Sequence, residues 1–75
     1  MKLNKKQIEL LMKLNKQDGS KSITELGKGI YSTYRTVHVN MDKFFDMGIV
    51  EYETKKNKVV PRLTPYGKSL LRTLL

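Results

Sequence analysis

Ser22-Ile23-Thr24-Glu25-Leu26-Gly27-Lys28-Gly29-Ile30-Tyr31-Ser32-Thr33-Tyr34-Arg35-Thr36-Val37 contains two helix starts. At the first, Ser22 and Glu25 have capping-box spacing: the Ser22 hydroxyl accepts the amide three residues on, and Glu25 reaches back. At the second, Thr33 is a hydroxyl N-cap that opens a helix at Tyr34. Gly27 and Gly29 each cost about 1 kcal/mol of helix propensity relative to Ala. The earlier helix is therefore short and held by packing, with Ile23, Leu26 and Ile30 on one face. Gly27 lies beside that face, where a missing side chain lets another helix come close. A link of four to five residues is expected between the two helices.

Downstream, the helix from Tyr34 runs to about Met47. Val37, Met41, Phe44 and Phe45 mark its buried side, with Tyr34 and Met47 at the margins. The opposite arc collects Arg35, Thr36, His38, Val39, Asp42, Lys43 and Asp46. Gly48 suits the left-handed residue just past a helix end. The period then changes: Ile49–Thr54 and Val59–Leu63 are β-branched and aromatic, as strands are. Lys55-Lys56-Asn57-Lys58 reads as a hairpin tip, with Asn57 able to take positive φ. Pro61 lacks a donor and belongs on an edge or with its nitrogen facing outward. Thr64-Pro65 is a further helix start, a hydroxyl cap followed by proline at the first helical position. The last helix places Tyr66, Leu70, Leu71, Leu74 and Leu75 on one half, with Lys68, Ser69, Arg72 and Thr73 on the other.

Upstream, Asn4 and Gln7 form another cap pair, and a helix runs to about Lys16, before the turn residues Asp18-Gly19-Ser20. Lys5, Lys6, Glu9, Lys13 and Lys16 share one narrow face. Ile8, Leu10, Leu11, Met12 and Leu14 occupy most of the rest, which needs more than one neighbour to cover it. The predicted order is α-α-α-β-β-α: mainly α with a small β-hairpin, an α+β fold.

The chain has 75 residues, room for one domain spanning 1–75. It has no cysteine and one histidine. That excludes disulfides, thiolate metal sites, thiol nucleophiles and multi-histidine metal clusters, and no cofactor is expected. No apolar run is long enough to span a membrane, and the first residues lack a secretory signal, so a cytoplasmic protein is expected. The carboxylates have no histidine or serine at a catalytic spacing, and Gly27-Lys28-Gly29 lacks the glycine spacing and Lys-Ser/Thr of a phosphate loop. An enzyme is not expected. Fifteen Lys+Arg face seven Asp+Glu, a net charge of +8. Such an excess points to an anionic partner, most often nucleic acid, against the plainer reading of a basic surface kept for solubility. Residues 1–21 and 49–75 each carry +4, and residues 22–48 are neutral.

Residues 26–37 resemble the helix-turn-helix core of winged-helix transcription regulators, in register from Leu26 to Thr36-Val37. Phe44 to Val50 is similar to that family's exit from the recognition helix. Leu63-Thr64-Pro65-Tyr66-Gly67 resembles the Leu-Thr-x-x-Gly step after the wing in MarR- and PadR-like members. The chain is shorter than most MarR-like regulators and lacks their long extra dimerisation helices, so a ligand pocket of their kind is not expected.

The resemblance implies a winged helix-turn-helix that binds double-stranded DNA and regulates transcription. A recognition helix (residues 33–47) would enter the major groove, and a basic wing (residues 54–60) would lie on the backbone or in the minor groove. The positions that match are Thr33, Tyr34, Arg35, Thr36, His38, Val39 and Lys43 on the helix, and Lys55, Lys56, Lys58 and Arg62 on the wing. Arg35 is the candidate for guanine O6 and N7, since its fork can bond both. Its plain alternative is a solvated arginine in a first turn, where the helix dipole disfavours a cation. Thr33, Tyr34 and Thr36 offer hydroxyls to phosphate, although Thr33 is also a cap. His38 could meet a base edge or be an ordinary surface histidine. Val39 could meet a thymine methyl or be an isolated surface valine. The wing lysines could grip phosphate or protect a strand edge. Lys5, Lys6, Lys13 and Lys16 are either a solvated helix face or a flanking phosphate track. The broad apolar arcs of the first and last helices suggest a homodimer through them. They equally suit the alternative function, a winged-helix protein–protein interaction module of a larger complex.

Overall fold

A computed structural model describes residues 2–16 and 21–74. The expected turn at Asp18-Gly19-Ser20 and the terminal Leu75 lie outside the described residues.

Each helix begins where a side chain takes up its unpaired amides. Helix α1 (Lys5–Lys16) opens on a reciprocal pair: Asn4 Oδ1 accepts the Gln7 amide at 2.8 Å, and Gln7 Oε1 accepts the Asn4 amide at 2.9 Å. Helix α2 (Ile23–Gly27) opens on the Ser22–Glu25 capping box. Helix α3 (Tyr34–Asp46) is capped by Thr33, whose hydroxyl accepts the Thr36 amide at 3.3 Å. Helix α4 (Pro65–Leu74) has proline at its first position, and the Thr64 hydroxyl accepts the Gly67 amide at 2.9 Å. The same hydroxyl donates to the Gly48 carbonyl at 2.6 Å, which ties the start of α4 to the exit of α3.

That exit is a Schellman motif. Gly48 has φ +77°, its amide bonds Phe45 O at 3.0 Å, and the Ile49 amide bonds Phe44 O at 2.9 Å.

The link from α2 to α3 is six residues, 28–33, rather than four to five. Helix α2 stops at Gly27 because Gly29, at φ +84°, turns the chain, and the Ile30 and Tyr31 amides both bond Gly27 O at 3.1 Å. Ile30 therefore reaches the core from this turn and not from the helix. Gly27 makes the close approach expected of it, since a methyl there would collide with the Val37 side chain of α3.

Strands β1 (Val50–Lys55) and β2 (Lys58–Leu63) pair antiparallel with Lys55 opposite Lys58. The loop is thus the two residues Lys56 and Asn57, at φ 47° and 65°, a type I′ hairpin and tighter than the expected four-residue tip. Ladder pairs alternate between bonded and non-bonded from the turn. The Tyr52–Pro61 pair falls on a non-bonded position, so the proline's missing donor costs nothing.

The core gathers Leu10, Leu11, Leu14, Leu26, Val37, Met41, Phe44, Ile49, Val50 and Leu71. Three neighbours, α2, α4 and β2, cover the wide apolar face of α1. Phe45 does not join this core: it is 48% exposed and stacks on Tyr52 with ring centroids 5.1 Å apart. Phe44 points to the centre, and Phe45, about 100° further round the helix, faces the hairpin instead. Tyr66 is also a marginal position and is more than half exposed. The order α1-α2-α3-β1-β2-α4 is that of a winged helix, with the hairpin as wing.

Candidate nucleic-acid interface

At 100° per residue, Val37, Met41 and Phe44 fix the inward direction of α3. Arg35, Val39 and Asp46 then lie diametrically opposite, on its outward ridge, and all three are exposed. Tyr34, His38 and Asp42 form one shoulder of the ridge. Thr36, Asn40 and Lys43 form the other.

Each shoulder has a neighbour. On the first, the Tyr52 hydroxyl of β1 donates to Asp42 Oδ1 at 2.7 Å. That side faces the wing, and an open groove of about 410 Å³ between them is lined by Ser22, Thr24, Tyr34, His38, Tyr52 and Val59 among others. On the second, the Gln7 side-chain amide of α1 donates to Asn40 Oδ1 at 2.9 Å, and Asn40 donates to the Thr36 carbonyl at 2.8 Å. The ridge therefore stands between a wing side and an α1 side.

Arg35, Thr36, Val39 and Lys43 are exposed on or beside the ridge, with no ion pair among the described residues. Tyr34 is 60% exposed, and its ring lies 4.2 Å from that of His38. His38 is half-buried by this contact and by the groove wall, so it is less open than a surface arc implies. The Thr33 and Thr36 hydroxyls are 2.7 Å apart and bond each other.

The wing differs from the bare positive tip that its sequence suggests. Lys55 pairs with Glu53 at 3.8 Å, Arg62 with Glu53 at 2.9 Å, and Lys58 with Glu25 of α2 at 3.6 Å. Among the described residues, Lys56 at the turn makes no ion pair. The Arg62 hydrogen bond, with Lys55 nearby, holds the Glu53 carboxyl below its ordinary range. Bonds from the Ser22 amide and hydroxyl, with the charge of Lys58, do the same for Glu25.

Tyr52, Gln7 and Asn40 were not anticipated as residues that set the site. Burial, the bond to Asp42 and the charges of Asp42 and Asp46 push the Tyr52 phenol well above its ordinary value, so it stays a donor. The one available signal was a tyrosine on the inward side of a strand that follows two aspartates one turn apart.

The arrangement offers a protruding helix with one arginine at its first turn, hydroxyls, a valine and cations beside it, and a hairpin alongside. Among the described residues no group of His, Cys, Asp or Glu could hold a metal ion, and no helix is long and apolar enough to cross a membrane.

No protein-family model matches the chain, and no curated protein matches its sequence significantly. Solved structures do match its fold. A protein of Archaeoglobus fulgidus superposes with a TM-score of 0.79 at 23% identity, over 96% of this chain and 82% of its own. BpsR of Bordetella bronchiseptica, whose DNA binding is regulated by 6-hydroxynicotinic acid, gives 0.82 at 23% over 97% of this chain. The multiple antibiotic-resistance repressor MarR of Listeria monocytogenes gives 0.80 at 21% over 93%. The chain spans 53% and 48% of those two proteins, about half of each. The shared fold is the winged helix.

Proposed function

We propose that residues 1–75 act as one sequence-specific double-stranded DNA-binding unit that regulates transcription. Helix α3 enters the major groove, and the wing lies along the backbone or in the minor groove. The observation that carries this reading is the ridge: Arg35 and Val39 project opposite the core, exposed in the first two turns of a helix, with no other element over them among the described residues. An α-helix fits the major groove, where a guanine offers O6 and N7 to an arginine fork and a thymine offers a methyl to a valine. Thr33, Tyr34 and Thr36 supply hydroxyls, and Lys43, Lys55, Lys56, Lys58 and Arg62 supply charge for phosphates. His38, at the groove rim, reaches a base edge beside Tyr34. BpsR and MarR, which share the fold, are a regulated DNA-binding protein and a repressor, and their likeness supports the same class of work here. Site, substrate and mode of action are of a binding protein rather than an enzyme, placed with the DNA of the cytoplasm.

The proposed unit is a homodimer through α4 and the neighbouring edge of α1. The three leucines of α1 are used inside the fold, so the motive rests on Tyr66, Leu70 and Leu74 of α4 with Ile8 and Met12 of α1. Sedimentation at high micromolar concentration tests it: a dimer is expected, and a monomer removes this part.

A second reading, a protein-interaction module, is favoured by the exposed Phe45, Met47 and Val59 around the wing. Selection of bound sequences from a random duplex pool separates the two. A DNA-binding regulator enriches one motif, and a dimer enriches two half-sites about one helical turn apart. A pool that emerges unenriched, with no salt-dependent binding, leaves the interaction module standing.

A further inference from the structure

The two sides of the α3 ridge carry different charge. On the wing side, Lys55, Lys56, Lys58 and Arg62 are equalled in number by Glu25, Glu51, Glu53 and Asp42. Three of those cations sit in ion pairs. On the α1 side, Lys6, Lys13, Lys28 and Lys43 stand with Glu9 as the one carboxylate among the described residues, and Glu9 makes no ion pair.

Local contacts bring Lys6 and Lys13 to the turn before α3, which also carries Lys28. The Lys6 ammonium lies 5.8 Å from the centre of the Tyr31 ring, two residues before the Thr33 cap. The Lys13 ammonium donates to the Lys28 carbonyl at 2.8 Å, which brings it to the turn that carries the Lys28 side chain. The Gln7–Asn40 bond fixes this end of α1 against the second shoulder of α3. Like charges near one another repel, and among the described residues Glu9 alone offsets them, without an ion pair. A polyanion does, by exchanging its condensed counterions for the lysines.

The major groove is about 12 Å wide, so a helix seated in it has a phosphate strand on either side. We propose that Lys6, Lys13 and Lys28 form a backbone-phosphate contact on the side of α3 away from the wing, and that this surface supplies most of the salt-dependent affinity. The proposal rests on the DNA-binding reading above. It adds a second grip that the winged-helix resemblance does not imply, and it reduces the wing to a lesser electrostatic role. Exposed ion pairs are weak, so the wing lysines remain able to swap Glu53 or Glu25 for a phosphate. What the wing lacks is net charge.

The test is the salt dependence of binding to a mixed-sequence DNA duplex two helical turns long. The parent is compared with Lys6→Gln/Lys28→Gln and with Lys55→Gln/Lys58→Gln. Lys13 is left intact because its ammonium also holds the turn. The first double variant is expected to lose about two units of the slope of log K against log salt, equally for all sequences. The wing pair is expected to lose less, and Glu9→Gln to tighten binding. Thermal unfolding at the parent temperature shows that both variants are folded, and Lys6→Arg/Lys28→Arg should restore the slope. A parental slope in the first variant, or a larger loss in the wing variant, overturns the proposal while leaving DNA binding intact. A parent that binds no duplex overturns the DNA-binding reading itself, and this one with it.

Discussion

The wing and the α1 side both buttress α3, but they are joined to it by different forces. Helices α1 and α2 reach α3 through the core: Leu10, Leu26, Val37 and Met41 are buried together, and Gly27 lets α2 lie directly on Val37. The wing is held by one hydrogen bond, Tyr52 to Asp42, one stacked pair, Phe45 on Tyr52, the exposed Lys58–Glu25 ion pair and the buried Val60. Core contacts are numerous and mutually dependent, so the α1 side keeps its geometry as long as the domain is folded. Contacts that are mostly at the surface open at lower cost than a packed core, so the tip of the wing can adjust more readily than the α1 side. The stiff side is also the charged one, and the adjustable side is close to neutral.

The largest effect expected from this contrast is at Gly27. Gly27→Ala puts a methyl into a stiff valine on the neighbouring helix and should cost about 1–3 kcal/mol, as overpacking does. For a domain of this size each kcal/mol lowers Tm by about 4–8 °C. A parental Tm by circular dichroism would mean that α2 and α3 are not locked through this contact. Next is the ridge itself: Arg35→Ala should lose about 1–3 kcal/mol of discrimination at a single base pair, with little change at the others. Loss spread evenly over all positions would demote Arg35 to a phosphate contact.

Tyr52→Phe keeps the stack on Phe45 and removes only the hydroxyl. It should cost about 0.5–1.5 kcal/mol in denaturant unfolding, and amide exchange should quicken in the hairpin while α1 stays protected. Equal change in both regions would erase the contrast. Lys56→Gln should weaken binding to every sequence alike and flatten the salt slope by about one unit. It is the wing cation whose charge no carboxylate partner offsets among the described residues.

The smallest effect is that of pH on the wing anchor. The Tyr52 phenol is raised in the folded state, so its contribution is complete below the ordinary tyrosine value and fades only as pH climbs through the raised one. The Glu53 carboxyl is lowered, so its ion pairs hold above the ordinary carboxylate value and fade as pH falls through the lowered one. Hairpin amide exchange, corrected for its intrinsic pH dependence, should therefore be flat between about pH 6 and 9. A step within that window would show that another group controls the wing.

What the sequence made legible was local. Asn4 with Gln7, Ser22 with Glu25, Thr33, Gly48 and Thr64-Pro65 act over three or four residues, and all five helix ends lie where those residues put them. Illegible features depend on partners far along the chain. Phe44 and Phe45 are adjacent and equally apolar, and only the packing of the hairpin decides that one is core and the other its outer support. Ile30 continues the apolar period of α2 although the helix has already stopped at Gly27. Lys56 has no intrinsic preference for positive φ, so the two-residue turn was hidden behind Asn57. The bonds that set the two shoulders join residues 10 and 33 positions apart, beyond any helical or strand period. Spacing alone also showed the wing lysines but not that Glu25, from another helix, stands against one of them.

The central claim is that a duplex meets the α3 ridge with the α1 side and the wing on either hand. Backbone amide shifts recorded while a selected duplex is titrated into the protein test it most directly. The largest shifts are expected from Thr33 to Lys43, accompanied by Lys6, Lys28 and the Lys55–Lys58 turn, with α4 nearly unmoved. Shifts concentrated on α4, with Arg35 and Val39 silent, would contradict it.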